Sequence, residues 1–590
     1  MKKKEQTTTE IRQTLMEQLD WQVAERDDER VAQLLYAGEA ADGVHTLDEA
    51  GLLDEFFAFL TESEVMSFWK TYEIGAIQRV FMPTIYFLLL YGSRVLFGIN
   101  SINALPVLLF SNVAVMTLIG FNARLVKEGM SKRGERQRTD VRPYVLMDPQ
   151  TLAETICKSS LSELEKLFNG TIGCLAQYGI FMAEMMVAMD GTRIVTTAKF
   201  NGCGCQKVTE WKTDRKGLRV EVVSLVYGWR LIALIDLTTL IPVAVKIVQI
   251  QASESPYMLA LVKQAQANLA PYSRIVTLVA DRAYIDGDGL YQLDQMNIRF
   301  VVIAKKNMAA YATALCKSVE SDTYYDRTQT VQRGQGRDHA QETLLTRLQL
   351  VTDIRTWDSY RPPPVEGEQL RFADRPALNA VIVRIWDNKV LHTPRIFLTN
   401  QAVDNPWLLF DLYDDRSWIE NGLFRNSKQF WHLARWFPQR TQAGVQTHLT
   451  FVMLITAVAT AFRLWSKANS LENANLDLPE PLFSFQTVQR STGLIAPDPE
   501  PLPAATHLAV SNSEDESPLY SHHLLLGIGP ARWRQELKRL NRDKLIVFFG
   551  NTYGIFDLPV FLTLTGIPFQ LSPDYGSPHD ILARYGIQIE

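Results

Sequence analysis

The feature that most constrains this chain is the run Ile-Val-Thr-Leu-Val-Ala at 275–280, which ends at Asp281. An apolar run of that length reads as a strand covered on both faces. Such a strand needs helices above and below it, which points to an α/β or α+β sheet. A second apolar run, residues 185–189, leads into Asp190. A carboxylate at the end of a buried strand costs free energy unless something pairs with it. Around these two acids the pattern continues as strand-like pieces at 193–197, 220–226, 230–236 and 243–250. A helix follows from Ser255, a suitable N-cap, to about residue 269, then a helix at 286–295 and a strand at 300–304.

A third acid has a different setting. At ~100° per residue, Tyr413, Arg416, Glu420, Phe424 and Trp431 fall within about 40° of Glu420 around one helix. Lys428 lies roughly 80° away, within reach of a long side chain. One face thus offers a phenol, a guanidinium, a carboxylate and a nearby ammonium. Read singly, Asp281 is a helix cap and Arg416 with Glu420 is an i,i+4 ion pair. Read together, three carboxylates are what a pair of oxygen-loving divalent cations requires, and an arginine fork beside them suits phosphate. That combination points to metal-assisted cutting of phosphodiester bonds.

Bulk properties are compatible and place limits. At 590 residues the chain exceeds one ordinary core, so two to four domains are expected. A net charge of -5 does not announce a nucleic-acid binder, so local basic stretches must do any phosphate work. One such stretch, residues 127–142, admits two readings, a solvated loop or a DNA-backbone contact. Lys305 and Lys306, and the basic segment 532–544, are equally open. Five unevenly placed cysteines suit a reducing compartment, and Cys203-Gly-Cys205 is too tight for a zinc knuckle. The start of the chain lacks the apolar core of a secretion signal. Residues 95–123 are uncharged up to Arg124, but Gly98, Asn100, Asn103, Pro106 and Asn112 interrupt them. They read as two short buried helices with a turn near 99–105, so no membrane is expected.

The residues around the acids resemble bacterial insertion-sequence transposases of the DDE type. Their third-acid helix carries Tyr, two residues, Arg, three residues, Glu, six residues, Lys. Tyr413, Arg416 and Glu420 match that spacing. The lysine departs from it, because Ser427 stands at the expected place and Lys428 one step later. The second-acid segment Asp281-Arg282-Ala283-Tyr284 is similar to the family's Asp-Arg-Gly-Tyr, with alanine for glycine. The resemblance runs from about residue 75 to the C-terminus.

The resemblance implies a mixed α/β fold, an RNase H-like catalytic core with a β-rich insertion, a helical N-terminal domain and a small C-terminal unit. The expected divisions are 1–65, an acidic helical extension; 66–182, a helical DNA-binding domain; and 183–308, the first part of the core. The insertion follows at 309–402, the helical remainder with the third acid at 403–470, a flexible linker at 471–520 and the C-terminal unit at 521–590. The activity implied is transposition: Asp190, Asp281 and Glu420 as catalytic metal ligands, with Tyr413, Arg416, Lys428 and Arg282 contacting DNA. Tyr413 is expected to position or stack against the flanking strand, and His432 to pack or touch DNA. Also implied are Mg²⁺, with Mn²⁺ as substitute, terminal inverted repeats and target DNA as partners, and a homodimer on the nucleoid of a bacterial cytoplasm. The competing readings are an RNase H-like nuclease without strand transfer and a transposase-derived DNA-binding protein.

Overall fold

A computed structural model describes residues 24–47, 53–77, 82–121, 125–126, 146–213, 219–320, 323–333, 340–363, 372–387, 390–473 and 544–566. Its larger sheet, of eleven strands, is organised around the strand Glu184–Thr196. On one side the strand Arg219–Asp236 runs antiparallel to it. The outer half of that strand pairs with Gly204–Thr213 and the inner half with Pro242–Gln249. On the other side Arg274–Ala280 and then Arg299–Ile303 run parallel. These strands, with the helix Met258–Leu269 packed on Pro242–Gln249 and Arg274–Ala280, form the RNase H-like core. Val279, Ala280, Leu278 and Met189 have no exposed surface, as a doubly covered strand requires.

Two strand pieces expected on each side of Asp190 and of Gly228 are continuous. Glu184–Thr196 runs straight through Asp190, so this acid is in mid-strand rather than at a strand end. Arg219–Asp236 runs through Gly228, whose φ of +149° only glycine accepts readily. A Cβ there would lie 2.0 Å from the Ile194 carbonyl, so the glycine marks a close approach and not a break.

The β-rich segment between the second and third acids continues the same sheet. Arg395–Thr399 pairs antiparallel with Arg299–Ile303, and Leu378–Asp387, Ala340–Ile354 and Tyr325–Arg333 extend it. This covers an edge that would otherwise present unpaired backbone groups.

The helix Gln442–Asn473 packs against Leu161–Gln177, Thr84–Leu96, Leu53–Glu62 and the strand Pro242–Gln249. Its part Gln442–Trp465 is long and apolar enough to cross a membrane, and its most apolar 18-residue window is wholly buried inside the protein. In the uncharged stretch after residue 95, Ile99, Leu105, Leu109, Phe110 and Met116 are buried, while Asn100, Asn103, Val107 and Ser111 are exposed. Thr84–Leu96 ends in a turn, and Ile102–Ala104, Leu105–Leu108 and Val113–Ile119 follow as short helices.

Described segments from the expected units at 1–65 and 521–590 pair with one another. Glu25–Arg26, Thr552–Asp557, Lys544–Phe549 and Gly43–Thr46 form one four-stranded sheet. Its own core joins Val31 and Leu35 to Leu545, Val547, Phe561 and Leu562. The helix Leu53–Glu62 belongs to the main core instead, with Phe56 and Phe59 against Phe462. The linker 471–520, apart from the end of the long helix, the basic segments 127–142 and 532–543, and all of 567–590 lie outside the described residues.

Candidate active site

The sheet register brings the first two acids together. Met189 pairs with Ala280 in the parallel pair, so Asp190 and Asp281 follow side by side on adjacent strands. Asp190 is buried. Its Oδ1 accepts the Gly191 amide at 2.7 Å, and its Oδ2 accepts Arg416 Nη1 at 2.7 Å. Asp281 is half-buried and caps the 3-10 turn Arg282–Tyr284, accepting the Arg282 amide. Burial raises the Asp190 carboxyl to about 7; Arg416 opposes this, while Glu420 and Asp281 add to it.

The third-acid segment is not one α-helix. Asn405 caps Pro406–Asp415 by accepting the Trp407 amide at 2.9 Å, with Pro406 at the position where no amide is missed. A π-helical turn, Ile419–Phe424, follows and carries Glu420, exposed toward solvent; Arg425–Phe430 resumes as α-helix. An i→i+5 turn takes up one extra residue, so Lys428 occupies the angle that Ser427 would hold in an unbroken helix, within about 20° of Glu420. Accordingly Lys428 Nζ donates to Thr192 Oγ1 at 2.6 Å, on the same strand face as Asp190. Burial lowers the pKa of this ammonium. Ser427 is fully buried, its Oγ 3.5 Å from Thr456 Oγ1. The one-residue offset of the lysine is therefore absorbed by the π-turn.

Other expected residues fall as follows. Tyr413 is buried and its ring stacks on Phe397 at 4.6 Å, while the Arg416 guanidinium lies 5.5 Å from the same ring. In this structure the ring is covered by Phe397 and seats Arg416. Burial pushes its phenol up to about 12. Arg416 Nε is buried without a hydrogen-bond partner, an unspent donor beside the acids. Arg282, Lys305 and Lys306 are exposed near the ends of the parallel strands. His432 Nε2 lies 3.3 Å from the Gly98 carbonyl and the His432 carbonyl 3.0 Å from His448 Nε2, so this histidine packs the site helix onto the N-terminal helices.

Three further residues at the site were not anticipated: Thr192, Arg230 and Glu254. Arg230 had a readable signal, as the one charge between Trp229 and Ile235; a lone charge in an apolar strand needs a partner.

The donor set fits a hard divalent cation in kind, since all three candidate ligands are carboxylates. Among the described residues, no three His, Cys, Asp or Glu side chains are gathered at ligating distance. Arg416 holds Asp190 Oδ2, and Glu420 points outward.

Residues 184–458 match the family described as the transposase DDE domain. The match begins at the first residue of the strand carrying Asp190, includes all three acids and ends in the long buried helix. No curated protein matches the chain. Over this segment the chain is similar to the DDE-type transposases.

Proposed function

We propose that this protein is a transposase that cuts at the ends of its insertion element and joins the freed 3′-hydroxyl ends to target DNA. Asp190, Asp281 and Glu420 are the catalytic carboxylates in this reading. The observation that carries it is the register that sets Asp190 beside Asp281, with Arg416 on Asp190 and Glu420 within electrostatic reach. Mg²⁺ or Mn²⁺ held by these acids would supply Lewis acidity for the attacking and leaving oxygens of an in-line displacement.

The chain's own residues do the rest. Arg416, seated by Tyr413, neutralises Asp190 until DNA arrives; its free Nε is then a donor to a phosphate oxygen. Lys428, anchored by Thr192, presents a second cation on the same face. Exposed Arg282 adds a third beside Asp281. Terminal inverted repeats as substrate and a homodimer holding two ends follow from the family resemblance.

Glu420→Ala tests the assignment with labelled end DNA. Cleavage should vanish while binding of the ends persists; wild-type cutting by that variant removes Glu420 from the site. Supplying a pre-cut 3′-hydroxyl end and a plasmid separates transposase from nuclease, because only a transposase gives joined products.

A further inference from the structure

A fourth carboxylate lies beneath the acids without belonging to them. Glu254 sits just before the 3-10 turn Ser255–Tyr257, and its Oε1 pairs with Arg230 Nη1 at 2.7 Å. Both side chains are nearly buried, at 13% and 12% exposure, and Arg230 Nη1 also donates to the Ala252 carbonyl at 2.9 Å. The other oxygen, Oε2, lies 2.7 Å from where a Cβ on Gly191 would stand. Real Cβ contacts are not that short, so Glu254 fills space that only glycine next to Asp190 leaves open.

The same carboxylate touches the second acid's turn. Tyr284 closes the turn that Asp281 caps, is fully buried, and has its hydroxyl against Glu254 without a well-formed hydrogen bond. Burial and then the charge of Glu254 raise that phenol's pKa. Ser255 Oγ reaches the Ile285 carbonyl at 3.5 Å, a second tie between the two segments.

We infer that Glu254, clamped by Arg230, is a positioning residue that sets the spacing between the Asp190 strand and the Asp281 turn. This rests on the two acids being the catalytic pair. Glu254 acts by shape and by its ion pair, since Arg230 already neutralises it. Groups behind metal-binding side chains cost roughly 10–100-fold in metal affinity or activity when removed.

The test uses the full chain with Glu254→Ala, Glu254→Gln, Gly191→Ala and the double variant Gly191→Ala/Glu254→Ala. Mn²⁺ alone is titrated first, then end cleavage is measured as kcat and KM, with the thermal midpoint of each variant as a check on folding. Glu254→Ala and Gly191→Ala should each weaken Mn²⁺ binding and lower kcat by about tenfold or more, with KM for end DNA little changed. Glu254→Gln keeps the shape but leaves Arg230 without its counter-charge, so its loss should be smaller than that of Glu254→Ala without vanishing. The double variant should be no worse than Glu254→Ala, because removing the carboxylate makes room for the methyl group. Additive losses in the double variant overturn the inference, as does wild-type behaviour of Glu254→Ala. A Gln loss as large as the Ala loss also overturns it, because the shape retained by glutamine would then contribute nothing. The wild type's failure to cleave would instead sink the proposed function, while the Mn²⁺ titration still judges Glu254.

Discussion

Exchanging Ser427 and Lys428 restores the family's lysine spacing and should nevertheless inactivate the protein. Lys428 reaches the site because the π-turn Ile419–Phe424 rotates it there, and its ammonium bonds Thr192 at 2.6 Å. Ser427 faces the buried helix Gln442–Asn473, with no exposed surface. Removing the ammonium alone, in Lys428→Ala, forfeits a charged hydrogen bond worth about 1.5–3 kcal/mol. The ammonium is only partly buried, so the lower end applies, and about tenfold in cleavage rate is the expected loss. The double variant S427K/K428S adds an unpaired buried ammonium, which costs about 3 kcal/mol or more. At roughly 2–4 °C per kcal/mol, its thermal midpoint should fall by about 6–12 °C. Differential scanning fluorimetry and end cleavage read the two effects. If the exchanged protein keeps the wild-type midpoint and cuts as well as wild type, the π-turn explanation is wrong.

Three other predictions follow from the same geometry. Asp236 is fully buried, and burial raises its carboxyl from 3.8 to about 6, although Thr239 donates to Oδ2 twice, at 2.9 and 2.7 Å. Its folded pKa exceeds the unfolded one, so its contribution is full below about pH 4 and is lost as pH rises through 6. At about 1.36 kcal/mol per unit the whole effect is about 3 kcal/mol, of which about 1.4 falls between pH 5 and 8. Asp236→Asn should gain that much on wild type over this range in urea denaturation; a pH-independent difference contradicts the burial argument. Tyr413→Phe keeps the ring that seats Arg416 and should leave cleavage within about threefold, whereas Phe397→Ala removes its stacking partner and should cost about 3–5 kcal/mol of stability. Deleting residues 1–47 removes two strands and a helix from the small sheet, so limited proteolysis should then cut within Lys544–Phe549 while the main core stays resistant.

Much of the site was legible because buried charge is conspicuous. Asp281 ends an apolar strand, and Asp190 interrupts another, so each calls for a partner on sequence grounds alone. The periodicity of Tyr413, Arg416 and Glu420 was legible for the same reason that helices are: side chains repeat at a fixed angle. The π-turn was not, since an i→i+5 hydrogen-bond pattern has no residue signature in Ile419–Phe424 and shifts everything after it by one position. The strand through Asp190 looked broken because a carboxylate followed by Gly191 reads as a turn, and only the sheet neighbours on both sides keep it extended. Pairing of Gly43–Thr46 with Lys544–Phe549 was out of reach, because the partners are separated by nearly the whole chain and no local pattern specifies which strand meets which. Glu254 was missed since its role depends on a contact with the empty side of Gly191.

The central claim is that Asp190, Asp281 and Glu420 form one centre that both cuts and joins DNA. Strand transfer of pre-cut 3′-hydroxyl element ends into a plasmid, in Mg²⁺ and in Mn²⁺, measures it most directly with wild type beside Asp190→Asn, Asp281→Asn and Glu420→Gln. Joined product from wild type, and from none of the three variants although each still binds the ends, is the predicted result. Joined product from any one variant at the wild-type rate, or a wild type that cuts and never joins, contradicts it.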